Sequence, residues 1–156
     1  MTESMVVDAS VVAKWFLDDE EGAAEALAIL LACLAGDLEL RAPPVMHIEV
    51  CNLLTKACGR RDPITKSPRL TKERAIDCID RLFRLPIQIL PGIQADAAEA
   101  LAMAVDYSKT YYDMTYLLLA VKLDCAFCTA DAKLLAANPA DFPASRVILL
   151  SSLKSE

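Results

Sequence analysis

The sequence predicts an α/β fold: a parallel sheet of four to five strands covered by helices on both faces. Three observations carry this reading. Short apolar runs alternate along the chain with longer helical stretches, the pattern of strands joined by crossover helices. The first of them, Met5-Val6-Val7, is a short β-branched apolar run without alternation, as a strand buried on both faces is. The chain has 156 residues, 55% hydrophobic and 24% charged. That suits one domain, residues 1–156, with core enough to fold without a disulfide or zinc staple.

Met5-Val6-Val7 is the first strand, and it ends at Asp8. Ser10 is placed to cap the helix that follows, which runs through Leu17. Gly22 to Ala35 is rich in Ala and Leu and reads as a core helix closed by Gly36. Leu38–Ala42 is a second strand. Pro43-Pro44 breaks the chain, and Pro44 suits the first turn of a helix with apolar positions at 46, 50, 53, 54 and 57. Residues 59–70 form a polar loop with two prolines. Thr71 opens a helix to about Arg84, Ile87–Leu90 is a third strand, and Pro91-Gly92 turns the chain into a helix over 95–107. A further helix covers 111–123. Cys125–Thr129 is a fourth strand, Asp131–Ala137 a short helix and Arg146–Leu149 a final strand.

Composition excludes several kinds of chemistry. The four glycines (Gly22, Gly36, Gly59, Gly92) are too scattered to build a phosphate-cradling loop or a dinucleotide fingerprint. His47 is the only histidine, so catalysis by a histidine pair and a zinc site built on several imidazoles are impossible. No Gly-x-Ser-x-Gly elbow is present. The six cysteines lack framework spacing and read as reduced core residues. Cys125 and Cys128 form a nominal C-x-x-C, but in a strand they point to opposite faces. The longest apolar run, Ala26–Ala35, falls well short of the roughly 20 residues a bilayer span requires. With no basic, signal-like N-terminus, the expected compartment is the cytoplasm.

Net charge is −6, yet residues 56–84 hold nine of the sixteen Lys and Arg against four acids. A solvated helix face and a phosphate-binding surface explain such a run equally well. Most acids sit in polar surroundings. Four do not: Asp8 (Val-Val-Asp-Ala-Ser), Glu49 (His-Ile-Glu-Val-Cys), Asp113 (Tyr-Tyr-Asp-Met-Thr) and Asp131 (Thr-Ala-Asp-Ala-Lys). An ionised carboxylate taken out of water costs several kcal/mol unless compensated. Each of the three aspartates could instead act at a helix N-terminus. Glu49, within an apolar stripe, is harder to explain that way. All four fall near the carboxyl edge of the predicted sheet, where α/β proteins build their sites. One shared divalent cation would satisfy them together.

Taken in order, Val-Val-Asp8-Ala-Ser10, Pro43-Pro44…Glu49-x-x-Asn52-Leu-Leu, Tyr112-Asp113-x-x-Tyr116-x-x-Leu-Ala120 and Thr129-Ala130-Asp131 resemble the PIN-domain ribonucleases, in particular the VapC-type toxins of prokaryotic toxin–antitoxin pairs. The resemblance runs from about Met5 to Leu149. It differs from a minimal member in a longer basic loop and helix at 59–84. It implies a metal-dependent endoribonuclease using Mg²⁺ or Mn²⁺, the hard cations that oxygen ligands suit. Asp8, Asp113 and Asp131 would be the principal ligands, and Glu49 would complete the set or orient the attacking water. Ser10 and Thr129 would support the carboxylates through their hydroxyls, with Asn52 a weaker candidate. Arg60, Arg61, Lys66 and Arg69 would hold RNA phosphates beside the acidic site. A VapB-like protein antitoxin and a homodimer are the implied partners, with no membrane role. The helices at 22–35 and 95–107 could supply dimer surface or pack into the core. A catalytically silent PIN-fold interaction module is the alternative. A haloacid-dehalogenase-like phosphatase would need an acid at position 10, and a receiver domain an Asp after the third strand; neither is present.

Overall fold

Val6 and Val7 are adjacent in the first apolar run and both fully buried. Neighbouring strand residues point to opposite faces, so layers must cover the sheet on both sides. The computed structural model, which describes residues 2–153, supplies those layers. The elements are β1 Glu3–Val7, α1 Ala9–Val12, α2 Ala23–Ala35, β2 Leu38–Ala42, α3 Val45–Gly59, α4 Lys72–Leu82, β3 Ile87–Ile89, α5 Gln94–Tyr107, α6 Tyr111–Lys122, β4 Ala126–Thr129 and β5 Val147–Leu149. Tight 3₁₀ turns follow α1 and β4 and flank β5.

The sheet is parallel throughout, in the order β3-β2-β1-β4-β5. From β1 the chain builds outward through β2 to β3, then returns to add β4 and β5 on the other side. The order therefore reverses at β1, and the crevice at the carboxyl ends of β1 and β4 is where such a sheet admits a ligand. Val7 is in register with Cys128, and the Asp8 amide donates to the Cys128 carbonyl at 3.0 Å. Asp8 is thereby fixed beside the end of β4. Helix α6 packs on β1 and β4, α5 on α6, α2 on β2, and α3 on α1 and α4. Tyr116, Phe127, Leu40, Met46 and Leu54 are among the largest fully buried side chains.

Local chemistry explains most boundaries. Gly36 takes φ +83°, and its amide closes α2 onto the carbonyls of Ala32 and Cys33. Gly22, at φ +82°, precedes α2; a Cβ there would come within 3.1 Å of Leu150. The Thr71 hydroxyl caps α4 by accepting from the Arg74 amide.

Three expectations are corrected. Ser10 does not cap α1: Asp8 occupies that position, and the Ser10 hydroxyl is engaged elsewhere. The short helix placed over 131–137 is a single 3₁₀ turn, Ala132–Leu135, ending before Ala137 at φ +51°. The α2 segment is no core helix: only Ala26 and Ile29 are fully buried, and Leu27, Leu31 and Leu34 face solvent. The segment at 59–70 is a loop, as expected, braced by internal contacts and by Arg69 on Asp19. An antiparallel bridge joins Arg61 to Pro68, and the Asp62 carboxylate accepts from the amides of Ile64 and Thr65.

Candidate active site

Asp8 is one of two buried polar or charged residues among those described; the other is Thr129. They are bonded to each other. The Thr129 hydroxyl donates to Asp8 Oδ2 at 2.7 Å, and the Ser10 hydroxyl donates to the same oxygen at 2.7 Å. Each hydroxyl is aimed by a backbone amide from the loop after β4: Ala130 donates to Ser10 Oγ at 3.0 Å, and Asp131 to Thr129 Oγ1 at 3.1 Å. The two strand ends are laced together through Asp8, which leaves its other oxygen, Oδ1, clear of both hydroxyls.

Glu49 lies one turn into α3 and is half-buried. The Tyr116 hydroxyl donates to its Oε2 at 2.7 Å, and the Tyr116 ring stacks on Phe127 of β4 with centroids 5.5 Å apart. A buried tyrosine hydroxyl needs a partner, and this one fixes the glutamate against the core. Asp113, in the first turn of α6, is half-buried; Thr110 caps that helix by accepting the Asp113 amide, so the Asp113 carboxylate is not the cap. Asp131 is exposed, and its Oδ1 accepts from the Lys133 amide at 2.9 Å, capping the turn after β4.

Electrostatics tie the four acids into one cluster. Burial raises the pKa of Asp8, the bonds from Ser10 and Thr129 oppose that rise, and the Asp113 charge adds to it. Glu49 is raised by burial, partly offset by Tyr116, and raised further by Asp8 and Asp113. Asp113 is raised by burial, which a bond from Thr110 opposes; Asp131 raises it further and Lys109 partly offsets that. Like charges that lift one another's pKa form a site of negative potential. Asn52, exposed one turn along α3, is outside the hydrogen bonds that connect these groups.

The donor set is carboxylate oxygen, the ligand type Mg²⁺ and Mn²⁺ take, and the shared charge is what a cation relieves. Among the described residues no three His, Cys, Asp or Glu side chains lie close enough to enclose an ion between them. Mg²⁺ is commonly held by one or two carboxylates with several waters, so the residues present fit it. The C-x-x-C plays no part here: both thiols are free and buried, and burial together with Asp8 pushes Cys128 up to about 12. A thiol so high stays protonated and unreactive at neutral pH.

The four basic candidates lie just past α3 and in the loop that follows it. Arg69 pairs with Asp19 at 2.5 Å and Glu20 at 3.2 Å. Arg61 donates to the Lys66 carbonyl, and Lys66 Nζ to the Pro63 carbonyl. Arg60 is exposed just past α3. Sequence reasoning assigned no role to Tyr116, although a tyrosine three residues after Asp113 in an apolar helix signals a buried hydroxyl seeking an acceptor.

A family model described as the PIN domain matches residues 5–138. No curated protein sequence matches the chain significantly. Solved structures do. VapC20 of Mycobacterium tuberculosis, described as a toxin cleaving the sarcin–ricin loop, has a TM-score of 0.62 at 14% identity, over 92% of this chain and 96% of that one. A toxin–antitoxin complex from Klebsiella pneumoniae gives 0.58 at 16% identity, over 94% and 97%. VapBC2 of Rickettsia felis, bound to a promoter DNA fragment, gives 0.56 at 11% identity, over 94% and 96%. The parallel sheet, the strand-end site and the match over most of its length agree: the chain belongs to the PIN-domain family, with the fold of the VapC toxins.

Proposed function

We propose that this protein is a metal-dependent endoribonuclease, the toxin of a toxin–antitoxin pair. The observation that carries the reading is the coupling of Asp8, Glu49, Asp113 and Asp131 at the point where strand order reverses. Asp8 and Asp113 would hold Mg²⁺ or Mn²⁺, with Asp131 and Glu49 completing the charge. A cation held there supplies Lewis-acid stabilisation and an activated water for phosphodiester hydrolysis. Ser10 and Thr129 fix the rotamer of Asp8, so that Oδ1 is presented the same way in each turnover. Tyr116 orients Glu49 and opposes the rise that burial imposes on its pKa, so that Glu49 would direct a water at the scissile phosphorus. Asn52, one turn beyond Glu49 on α3, would be a weaker support of the same carboxylates.

The partners belong to the same proposal. The family fold and the toxin–antitoxin complexes that share it support a VapB-like antitoxin. The exposed leucines of α2, with Leu101 and Val105 of α5, offer apolar surface for a homodimer. No helix among the described residues is long and apolar enough to cross a membrane, and we place the protein's action in the cytoplasm.

The test is cleavage of labelled RNA by the purified chain in Mg²⁺ or Mn²⁺. Loss of cleavage in EDTA and in Asp8→Asn or Asp113→Asn, with the fold retained, is the expected result. Equal cleavage by parent and variants would refute the assignment, and a folded parent that binds antitoxin but cuts nothing would favour the silent module.

A further inference from the structure

Beside the acidic cluster lies a cavity of about 140 Å³ lined by Ser10, Lys14, Glu20, Lys56, Arg60 and Arg69, with Leu53 in its wall. Ser10 borders both: its hydroxyl donates to Asp8, and it contributes to the cavity lining. Helix α3 links them as well. Glu49, Leu53 and Lys56 are spaced i, i+4, i+7 on one stripe, and Arg60 follows the last turn. At 1.5 Å per residue, Lys56 stands about 10 Å from Glu49 along the helix axis.

The charges in this cavity are unbalanced. Four cations face one carboxylate. Glu20 is shared by Lys14 at 3.1 Å and Arg69 at 3.2 Å, and Arg69 also grips Asp19. Lys56 and Arg60 form no ion pair among the described residues. Like charges converging in a concave site repel one another unless an anion enters. Lys14 and Arg69, held by acids, make a fixed floor, while Lys56 and Arg60 are free to close on a ligand.

Resting on the nuclease reading, we infer that this cavity is a subsite for a backbone phosphate of the RNA next to the one being cut. An acidic centre repels the polyanion it must cleave, so cations immediately beside it have to hold the strand. The subsite places this contact on Lys14, Lys56 and Arg60. It thereby replaces the loop residues Arg61 and Lys66, whose side chains bond the loop's own carbonyls.

The experiment measures binding of a labelled single-stranded RNA to the full chain carrying Asp113→Asn, across a range of salt. Adding Lys56→Ala with Arg60→Ala is expected to weaken binding about tenfold at moderate salt. It should also lower the slope of log K against log salt by about 0.7 for the phosphate lost. Lys56→Gln with Arg60→Gln keeps the aliphatic stems and should behave alike. Arg81→Ala with Arg84→Ala removes equal charge from the end of α4 and the turn after it, and should leave the slope unchanged. Lys56→Arg should retain binding. In the active parent, the Lys56/Arg60 pair of substitutions should raise KM by more than it lowers kcat. A slope equal to that of the parent overturns the subsite. A parent that cleaves RNA while the slope stays equal leaves the nuclease reading standing without it. If the parent cleaves nothing, the nuclease reading falls, and the salt slope alone decides whether the cavity binds RNA.

Discussion

Asp8 shows how a residue can weaken a fold in order to serve a site. Its carboxyl is buried, raised above the ordinary 3.8, and faced by the Asp113 charge. Glu49 and Asp113 are raised from their ordinary values for related reasons. An acid whose pKa is higher folded than unfolded binds more protons in the native state. It therefore adds stability as pH falls through the folded pKa toward the unfolded one, and withdraws it as pH rises. The metal-free protein is thus expected to melt higher near pH 5 than near pH 7.5 in differential scanning fluorimetry. Asp8→Asn should raise the melting temperature at pH 7.5 and flatten that dependence; a variant that melts lower at neutral pH would contradict the account. Tyr116→Phe keeps the stack on Phe127 but leaves Glu49 without its donor. It should cost about 1–2 kcal/mol in denaturant unfolding and move the acid limb of the cleavage profile to higher pH, because the bond that lowers the Glu49 pKa is gone. Asp8, Glu49 and Asp113 were legible as acids in apolar company, whereas Asp131, read the same way, is exposed. The Ser10 hydroxyl meets Asp8, two residues away, as the sequence suggested, whereas the bond of Tyr116 to Glu49 spans 67 residues and left no local sign.

At the scale of elements, strands and helices were legible wherever local chemistry and burial agree. β2 falls on the expected residues, α3 starts at the residue after Pro44, Gly36 closes α2 because it has no Cβ to clash, and the Thr71 hydroxyl opens α4. Gly36→Ala should cost about 1 kcal/mol, because its φ of +83° strains any residue with a Cβ; an unchanged unfolding midpoint would remove that argument. Segments fixed by distant partners could not be read locally. The 59–70 loop is tied down by Arg69 reaching back 50 residues to Asp19, and nothing within the loop announces that pairing. The Asp19 end of the bridge is largely exposed, so Arg69→Ala should change stability by less than about 1 kcal/mol. It should speed tryptic cutting after Arg61 and Lys66 far more; cleavage at the parent rate would mean the pair does not hold the loop. The α2 face was misread for a similar reason. An Ala/Leu-rich helix is apolar all round, and only packing against β2 and the 3₁₀ turn after α1 decides which side is buried.

Across the whole molecule, topology turns scattered acids into one site. β1 stands at the reversal of strand order, β4 returns beside it, and α3 and α6 bring Glu49 and Asp113 to the same edge. Parallel pairing could be inferred from the alternation of elements, whereas the order β3-β2-β1-β4-β5 is carried by long-range contacts that leave no local trace. The basic cavity at Lys14, Lys56 and Arg60 likewise exists only once α1, α3 and the 59–70 loop are assembled. The central claim is that the folded acidic cluster is completed by a divalent cation. Its most direct measurement is an anomalous difference map from crystals of the parent protein soaked in Mn²⁺. The account predicts a peak in contact with carboxylate oxygens of Asp8 and Asp113, lost in Asp8→Asn. A well-ordered cluster with no peak, or a peak bound only by surface carboxylates elsewhere, would contradict it.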